Sequence, residues 1–302
     1  MSEDNKTLIA VALLVSFGLV TLLVSSKTGR DDKSADESRS RENFPQVTLA
    51  AKGAYVYDVR SEIVLFAKNS DKPLPLASLA KLMSALVAEE TYYDYGSVTI
   101  SSEAIATDGD SGLVVGEKWR LKELLDFSLV ASSNDGIKAV ALTLGDRDFI
   151  RAMNRRSEDL GLDNTLFNNE TGLDLPAGQG QAGLEGSAGG YGSARDIAVL
   201  LRHILERYPE ALEATKFEST EVSSLDGSSY TVRNTNRLVG EIPGLLASKT
   251  GYTSMAGGNI VFAFDPELGR PIIVVVLGSS VEGRFADADK LVKATMVYIN
   301  GN

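Results

Sequence analysis

The chain lacks cysteine altogether and has a single histidine, His203, among its 302 residues. The absence of cysteine excludes disulfides, thiolate nucleophiles, lipid attachment through cysteine and cysteine-bound metals. One histidine also excludes metal sites built from several histidines, and a Ser-His-Asp triad would have to depend on His203. Because His203 lies in a predicted helix among apolar and basic neighbours, we interpret it as a structural residue.

Positive charge is also scarce. The chain has 30 Lys and Arg residues against 41 Asp and Glu residues, which gives a net charge of -11. A nucleic-acid-binding protein would show a basic patch, so we exclude nucleic acid as a partner. The hydrophobic content of 43% and the charged content of 24% are typical of a globular protein with a sizeable core.

One long uncharged apolar run occurs close to the N-terminus, at residues 8–24. Its length is at the short end of what can cross a bilayer. We interpret residues 1–26 as a membrane anchor or signal segment, and we favour an uncleaved anchor because no clear A-x-A cleavage site follows. Residues 27–44 are rich in Ser, Asp, Arg and Glu and predict a flexible linker. The folded domain is expected over residues 45–302.

The order of the predicted elements indicates an α/β fold. Strand patterns occur at the start of the domain and in its last third, so we expect one antiparallel sheet that unites both ends. The predicted strands cover residues 54–59, 63–67, 245–252, 258–264 and 271–277. The predicted helices cover residues 78–87, 121–130, 135–144, 149–160, 193–208 and 285–299. Residues 92–120 predict short strands and turns, and the glycine-rich residues 176–192 predict a mobile surface loop.

A Ser-x-x-Lys motif follows Pro75, at the start of a helix that is predicted to be buried and amphipathic. Ser78 and Lys81 are three residues apart and therefore neighbours on one helix face, with Ser78 in the first turn. An amine one turn away can take the proton of a serine hydroxyl, and burial among apolar side chains would push that amine towards its neutral, basic form. Alone, the motif also occurs in many ordinary helices.

Two further motifs follow in the chain. Ser132-Ser133-Asn134 lies at a break between two predicted helices, and Lys249-Thr250-Gly251 lies at the end of a strand with a free edge. Taken alone, the first is explained by helix capping and the second by a turn with a solvated lysine. Together and in this order, the three motifs are the set found in penicillin-binding proteins and serine β-lactamases.

The domain resembles the serine D-Ala-D-Ala carboxypeptidases among the low-molecular-weight penicillin-binding proteins, from about Pro45 to the last helix. Supporting stretches are residues 160–162, 167–173, 193–196, 234–236 and 246–253. Two positions depart from the family pattern: Ser133 stands where Gly is usual, and Glu170 stands where Pro is usual. The resemblance implies a β-lactamase/transpeptidase-like fold, in which an antiparallel sheet flanked by helices is joined to a helical subdomain.

The resemblance also implies the roles of the site residues. Ser78 would form the acyl-ester, Lys81 would accept its proton, and Ser132 would relay that proton to the leaving amine. Substrate binding would fall to Asn134, Lys249, Thr250, Gly251 and Tyr252. The N–H groups of Ser78 and Tyr252 would form the oxyanion hole, and no metal or organic cofactor would be required.

The implied partners are peptidoglycan stem peptides that end in D-Ala-D-Ala, β-lactam antibiotics, and the membrane through the N-terminal helix. The catalytic domain would then lie on the extracytoplasmic side, or be secreted if the segment is cleaved. The basic residues that follow residues 8–24 favour the opposite orientation by the positive-inside rule. We give more weight to the chemistry, which requires the outside of the cell.

Three other functions are alternatives. A serine β-lactamase needs a carboxylate to activate the deacylating water, and Glu170 within Glu170-Thr171-Gly172-Leu173-Asp174 resembles such an element. A peptidoglycan endopeptidase would apply the same groups to a crosslinked peptide. A non-catalytic wall-binding module would need no complete set of motifs, which argues against that function.

Overall fold

The computed structural model describes residues 43–92, 97–109, 111–176 and 188–301. The predicted anchor and nearly all of the predicted linker lie outside the described residues. Among the described residues, every helix is too short or too polar to span a bilayer. The described residues from Pro45 onward form one compact unit.

The strands, in chain order, are β1 Gly53–Asp58, β2 Ile63–Lys68, β3 Leu74–Pro75, β4 Val98–Thr99, β5 Lys118–Trp119, β6 Leu166–Phe167, β7 Gly190–Gly192, β8 Ser219–Ser223, β9 Ser229–Arg233, β10 Leu245–Thr253, β11 Gly257–Phe264 and β12 Ile272–Ser279. The helices are α1 Ala80–Tyr92, α2 Ser102–Ile105, α3 Leu121–Val130, α4 Asn134–Leu144, α5 Asp146–Asp159, α6 Ala194–Arg207 and α7 Gly283–Gly301. Two 3-10 segments, Ala77–Leu79 and Pro209–Lys216, complete the described elements.

The main sheet joins the two ends of the domain, as predicted. Its order is β10-β11-β12-β1-β2, and all of its neighbouring strands run antiparallel. In this sheet Val56 of β1 pairs with Val274 of β12, so the N-terminal hairpin lies directly beside the C-terminal strands. Strand β10 lies at the edge, which confirms the free edge predicted for the strand that contains Lys249.

Both faces of the sheet are covered. Strands β11 and β12 are buried along almost their whole length. Val261 and Val275 belong to the hydrophobic core that also includes residues of α1 and α6. Side chains alternate between the two faces of a strand, so Phe262 and Val274 point to the other side, where α7 covers the sheet. Because helices cover both faces of the sheet, strands β11 and β12 are nearly continuous hydrophobic runs.

Helix α1 is buried, as predicted, but it is buried on every side and has no polar face, which corrects the expectation of an amphipathic helix. Each residue from Ala80 to Ala88 is buried. The helix contacts α6 and also α3, α4 and α5, which together form the helical subdomain. Its residues share one hydrophobic core with the sheet, so it has no solvent-facing side from Ala80 to Ala88. Polar residues within this stretch, such as Lys81 and Ser84, therefore need partners inside the protein.

Several short elements differ from the prediction. Residues 102–105 form a helix, capped by the Ser101 hydroxyl, where only strands and turns were expected. Residues 190–192 form a strand at the end of the predicted mobile loop, of which residues 177–187 lie outside the described residues. The hairpin of β8 and β9 was missed because each strand buries a single apolar residue, which leaves only a weak pattern.

Asn259 ties the sheet to the segment before the first helix. Its side chain is completely buried, donates to the Pro75 and Leu76 carbonyl oxygens at 2.9 and 3.0 Å, and accepts from the Gly278 amide at 2.7 Å. We expect Asn259→Ala to lower the free energy of unfolding by about 2–3 kcal/mol, because it leaves buried backbone groups without partners. Urea unfolding monitored by circular dichroism measures this change. The exposed Asn300→Ala serves as the control, and a loss below about 0.5 kcal/mol for Asn259→Ala would contradict the prediction.

Candidate active site

Ser78 and Lys81 lie together at the junction between the sheet and the helical subdomain. Ser78 is in the 3-10 turn that leads into α1, and Lys81 is the second residue of that helix. Ala77 has a positive φ of 49°, an arrangement that costs a non-glycine residue about 1–3 kcal/mol. Such strain next to a hydroxyl with a buried lysine partner indicates a functional site.

The Lys81 amine is fully buried and has three oxygen neighbours. Its Nζ lies 2.9 Å from Ser78 Oγ, 2.7 Å from Asn134 Oδ1 and 2.9 Å from the Thr171 carbonyl oxygen. Of these oxygens, only the Ser78 hydroxyl can also donate a hydrogen bond. A neutral amine would therefore donate to Asn134 and Thr171 and accept the Ser78 proton, which is the geometry of a base next to a nucleophile.

Burial lowers the pKa of Lys81 to about 7, against the opposing effect of the Glu170 carboxylate, which raises it. A substantial fraction of the amine is therefore neutral near pH 7.

Ser132 and Lys249 form a second hydroxyl–amine pair. Lys249 Nζ donates to Ser132 Oγ at 2.8 Å and to the Thr250 carbonyl oxygen at 2.8 Å. Ser132 has a positive φ of 62° in the break between α3 and α4, and the next residue, Ser133, caps α4 by accepting from the Gly136 amide. Burial, with the nearby positive charges of Lys81 and Arg284, lowers the pKa of Lys249 well below its ordinary value.

The edge strand β10 passes close to the nucleophile. A Cβ built on Gly251 would lie 3.0 Å from the Ser78 amide nitrogen and 3.0 Å from the Leu76 carbonyl oxygen. The backbone thus approaches Ser78 as closely as it does because residue 251 has no side chain. Tyr252, the next residue, is exposed. The structure therefore brings all three predicted motifs to one place.

Sequence reasoning missed three side chains that support this strand. Thr235 Oγ1 lies 2.6 Å from Thr250 Oγ1, and the buried Arg284 donates to the Gly251 carbonyl oxygen at 2.8 Å. The Thr253 hydroxyl donates to Asp174 at 2.8 Å. The signal for Thr235 was the stretch 234–236, whereas Arg284 and Asp174 are isolated charged residues whose spacing gave no indication of this position.

The Glu170 carboxylate is paired with a lysine of helix α4. Its side chain is buried, and its carboxylate lies 3.5 Å from Lys138 Nζ. Burial raises the pKa of Glu170, and the positive charge of Lys138 opposes that effect. Its main-chain oxygen accepts from Ser84 on α1 at 2.6 Å. Glu170 is therefore the inner member of an ion pair.

His203 lies on α6, away from this site. Its ring nitrogen is 3.0 Å from the Arg156 guanidinium, and burial together with Arg156 lowers the pKa of His203. A neutral imidazole in contact with an arginine and the Glu90 carboxylate is a structural arrangement. This agrees with the interpretation of His203 as a structural residue.

Comparison with known proteins gives a consistent result. A family model described as D-alanyl-D-alanine carboxypeptidase matches residues 38–281. The chain is 30% identical over 288 residues to D-alanyl-D-alanine carboxypeptidase DacF of Bacillus subtilis, a match that covers 92% of this chain and 68% of DacF. It is 26% identical over 296 residues to a D-alanyl-D-alanine endopeptidase of Pseudomonas aeruginosa, covering 95% of this chain and 87% of that protein.

Among solved structures, the fold is similar to that of penicillin-binding protein D2 from Listeria monocytogenes in its ampicillin-bound form. The TM-score is 0.68 at 29% sequence identity, and the match covers 83% of this chain and 99% of that one. The predicted β-lactamase/transpeptidase-like fold is thereby confirmed.

Proposed function

The chain belongs to the D-alanyl-D-alanine carboxypeptidase family, and we propose that it is a serine D-Ala-D-Ala carboxypeptidase that acts on peptidoglycan stem peptides and binds penicillins. The observation that supports this function best is the contact between the buried Lys81 amine and the Ser78 hydroxyl. That pair provides a nucleophile and its base without a histidine, a cysteine or a metal.

In the proposed acylation step, neutral Lys81 takes the proton of the Ser78 hydroxyl as the oxygen attacks the carbonyl carbon between the two D-Ala residues. The N–H groups of Ser78 and Tyr252 stabilise the oxyanion, where one such donor is typically worth ~10²–10³ in rate. When the C–N bond breaks, the leaving amine receives the proton from Lys81 through Ser132. Free D-Ala departs and the acyl-ester on Ser78 remains.

In the second step, a water molecule attacks the ester carbonyl carbon while Lys81 again accepts a proton. The ester C–O bond breaks, the proton returns to Ser78 Oγ, and the shortened peptide leaves as a carboxylic acid. Asn134, which contacts Lys81 at 2.7 Å, keeps the amine in place through both steps and holds the substrate amide.

The terminal carboxylate of the substrate would bind beside Lys249, Thr250 and Thr235. Lys249 is buried without an acidic partner among its described contacts, and burial lowers its pKa. A bound carboxylate favours the ammonium form of Lys249, and the resulting positive charge favours the neutral form of Lys81. Arg284 adds positive charge behind the same strand. Substrate binding would thus prepare the base.

The substrate peptide would add as a further strand along the edge of β10. This edge has no neighbouring strand in the described part of the sheet, and Gly251 brings its backbone next to Ser78. Main-chain hydrogen bonds along the edge would place the scissile carbonyl between the nucleophile and the oxyanion donors.

An endopeptidase activity on crosslinked stem peptides is the second candidate, because the Pseudomonas aeruginosa relative has that name. Both reactions break a bond that follows D-Ala, and they differ in whether the departing amine belongs to free D-Ala or to a second peptide. Incubation with a crosslinked muropeptide dimer, followed by mass spectrometry, separates the two. Conversion of dimer to monomers at a rate comparable with D-Ala release would establish the endopeptidase.

We further propose that residues 1–26 anchor the chain in the membrane, with the domain of residues 45–302 on the extracytoplasmic side. The uncharged run at residues 8–24 and the extracytoplasmic position of peptidoglycan support this proposal. Membrane fractionation and protease access in spheroplasts of a bacterial expression host test it. Recovery of the intact chain in the soluble cytosolic fraction would contradict it.

A penicillin labelling experiment tests the enzymatic proposal. We expect the full-length chain to gain the mass of one penicillin on Ser78, and we expect this adduct to be long-lived in an intact-mass time course. An adduct that turns over within seconds would instead indicate a β-lactamase. A chain that gains no mass at all would contradict the role of Ser78.

A further inference from the structure

The carbonyl oxygens of Glu170 and Thr171 both accept hydrogen bonds from side chains of helix α1. The Ser84 hydroxyl donates to the Glu170 carbonyl oxygen at 2.6 Å, and the Lys81 amine donates to the Thr171 carbonyl oxygen at 2.9 Å. Lys81 and Ser84 are three residues apart and therefore lie on one face of the helix. The backbone at residue 170 is thus held one residue away from the partner of the proposed base.

Helix α4 holds the same segment from another side. Asn134 and Lys138 are four residues apart and therefore share one face of α4. Asn134 Oδ1 accepts from the Lys81 amine at 2.7 Å, and Lys138 Nζ lies 3.5 Å from Glu170 Oε1. The Glu170 carboxylate therefore lies on the side of α4 that faces Lys81, with 4% of its side chain exposed.

This arrangement places the buried, Lys138-paired carboxylate of Glu170 close enough to act on the Lys81 amine, which must be neutral for catalysis. We propose that Glu170 is a positioning residue that sets the acidic limit of Ser78 acylation, by holding a proton on Lys81 to higher pH than burial alone would allow. The proposal rests on the proposed function, in which Lys81 is the base, and it adds a group that regulates that base.

The charges around Lys81 agree with this proposal. Burial lowers the pKa of Lys81 to about 7, and the Glu170 carboxylate is the group that opposes this effect. Lys249 lies on the other side of the site. The two amines are close enough that the positive charge of Lys81 lowers the pKa of Lys249. Lys81 must lose its proton before it can accept one from Ser78, so acylation declines as the pH falls through the pKa of Lys81.

The charged groups that face Glu170 and its partner are few, and they come from three elements. They are Lys138 on α4, Asp146 on α5 and Glu103 on α2. Lys138 also forms an ion pair with Asp146. A substitution that removes the Glu170 charge therefore leaves Lys138 with an acidic partner and does not strand a buried cation.

The isosteric variant Glu170→Gln tests the proposal. Removal of the negative charge lowers the pKa of Lys81, so the acidic limb of the acylation profile should shift to lower pH by about one unit. On that limb the second-order rate of penicillin acylation should rise by up to about tenfold, while the rate on the alkaline plateau should change little. Stopped-flow measurements with a fluorescent penicillin give the acylation rate of the full-length chain as a function of pH. They would run from about pH 4.5 to about pH 9 in steps of about half a pH unit.

Two further variants make the experiment decisive. Glu170→Met also removes the charge and fits a buried site, so it should shift the limb in the same direction even if Gln disturbs the local fold. Glu117→Gln removes the charge of a buried carboxylate that bonds Tyr230 and Trp119 elsewhere in the domain, and it should leave the profile unchanged. Thermal unfolding of each variant reports whether the fold is retained.

The outcomes separate the inference from the proposed function. A wild-type chain that is not acylated at any pH contradicts the proposed function itself. Acylation of wild type with an unshifted limb in both folded Glu170 variants contradicts the inference alone. Unchanged acylation with an adduct that persists much longer in Glu170→Gln also contradicts it, because Glu170 would then activate the deacylating water.

Discussion

Replacing Ser78 by alanine should abolish covalent labelling by penicillin and the release of D-Ala. The proposed reaction forms its only covalent intermediate on the Ser78 oxygen, so no residual acyl-enzyme is expected. Removal of a nucleophile that works as a unit with its base typically costs ~10⁶ in rate. Intact-mass spectrometry after a long incubation with penicillin, together with an assay for D-Ala, measures both losses.

Non-covalent binding should survive this substitution. The groups proposed to bind the carboxylate, among them Lys249 and Thr250, are unchanged in Ser78→Ala. Equilibrium binding of a stem peptide should therefore remain measurable. Ser223→Ala, on the exposed β8–β9 hairpin, is the control and should be labelled like wild type. An adduct of undiminished yield on Ser78→Ala would show that another residue is the nucleophile.

Replacing Lys81 by methionine should lower the second-order rate of penicillin acylation by about 10⁴-fold, the upper end of what a positioned base supplies. We expect the upper end because Lys81 also returns the proton towards the leaving group through Ser132. Methionine fills the same buried space without an amine. The acylation rate of the full-length chain, measured by stopped flow, tests this expectation.

The fold of this variant should remain intact. Methionine leaves Asn134 Oδ1 and the Thr171 carbonyl oxygen without the amine, which is destabilising, but it also removes the cost of burying a titratable group. Lys68→Met is the matched control. Lys68 is a partly buried lysine of strand β2 that donates to the Leu49 carbonyl oxygen. A Lys81→Met rate within tenfold of wild type would mean that another group accepts the proton.

The main sheet could be predicted well from the sequence, and so could the meeting of the three motifs in one site. Strands β11 and β12 consist of almost uninterrupted buried apolar residues, and such runs bounded by turns are easy to recognise. Ser78 and Lys81 are local neighbours, so helical spacing alone predicts their contact.

The remainder of the site depends on contacts between distant parts of the chain. Lys81 meets the Thr171 carbonyl oxygen across 90 positions of sequence, and Lys249 meets Ser132 across 117. Arg284 belongs to the last helix and reaches Gly251 only because α7 packs on the sheet. No local sequence pattern predicts contacts between residues so far apart in the chain. The burial of α1 was predicted, but not its lack of a polar face, because that results from helices that pack around it later in the chain.

The most direct test of the proposed function is the hydrolysis of a stem pentapeptide that ends in D-Ala-D-Ala by the full-length chain. Free D-Ala and tetrapeptide would be quantified by mass spectrometry, before and after graded acylation of Ser78 with penicillin. We predict one D-Ala for each tetrapeptide, with a rate that falls in proportion to the acylated fraction of the protein. D-Ala release that continues unchanged from fully acylated protein, or its absence from a chain that penicillin acylates readily, would contradict the carboxypeptidase function.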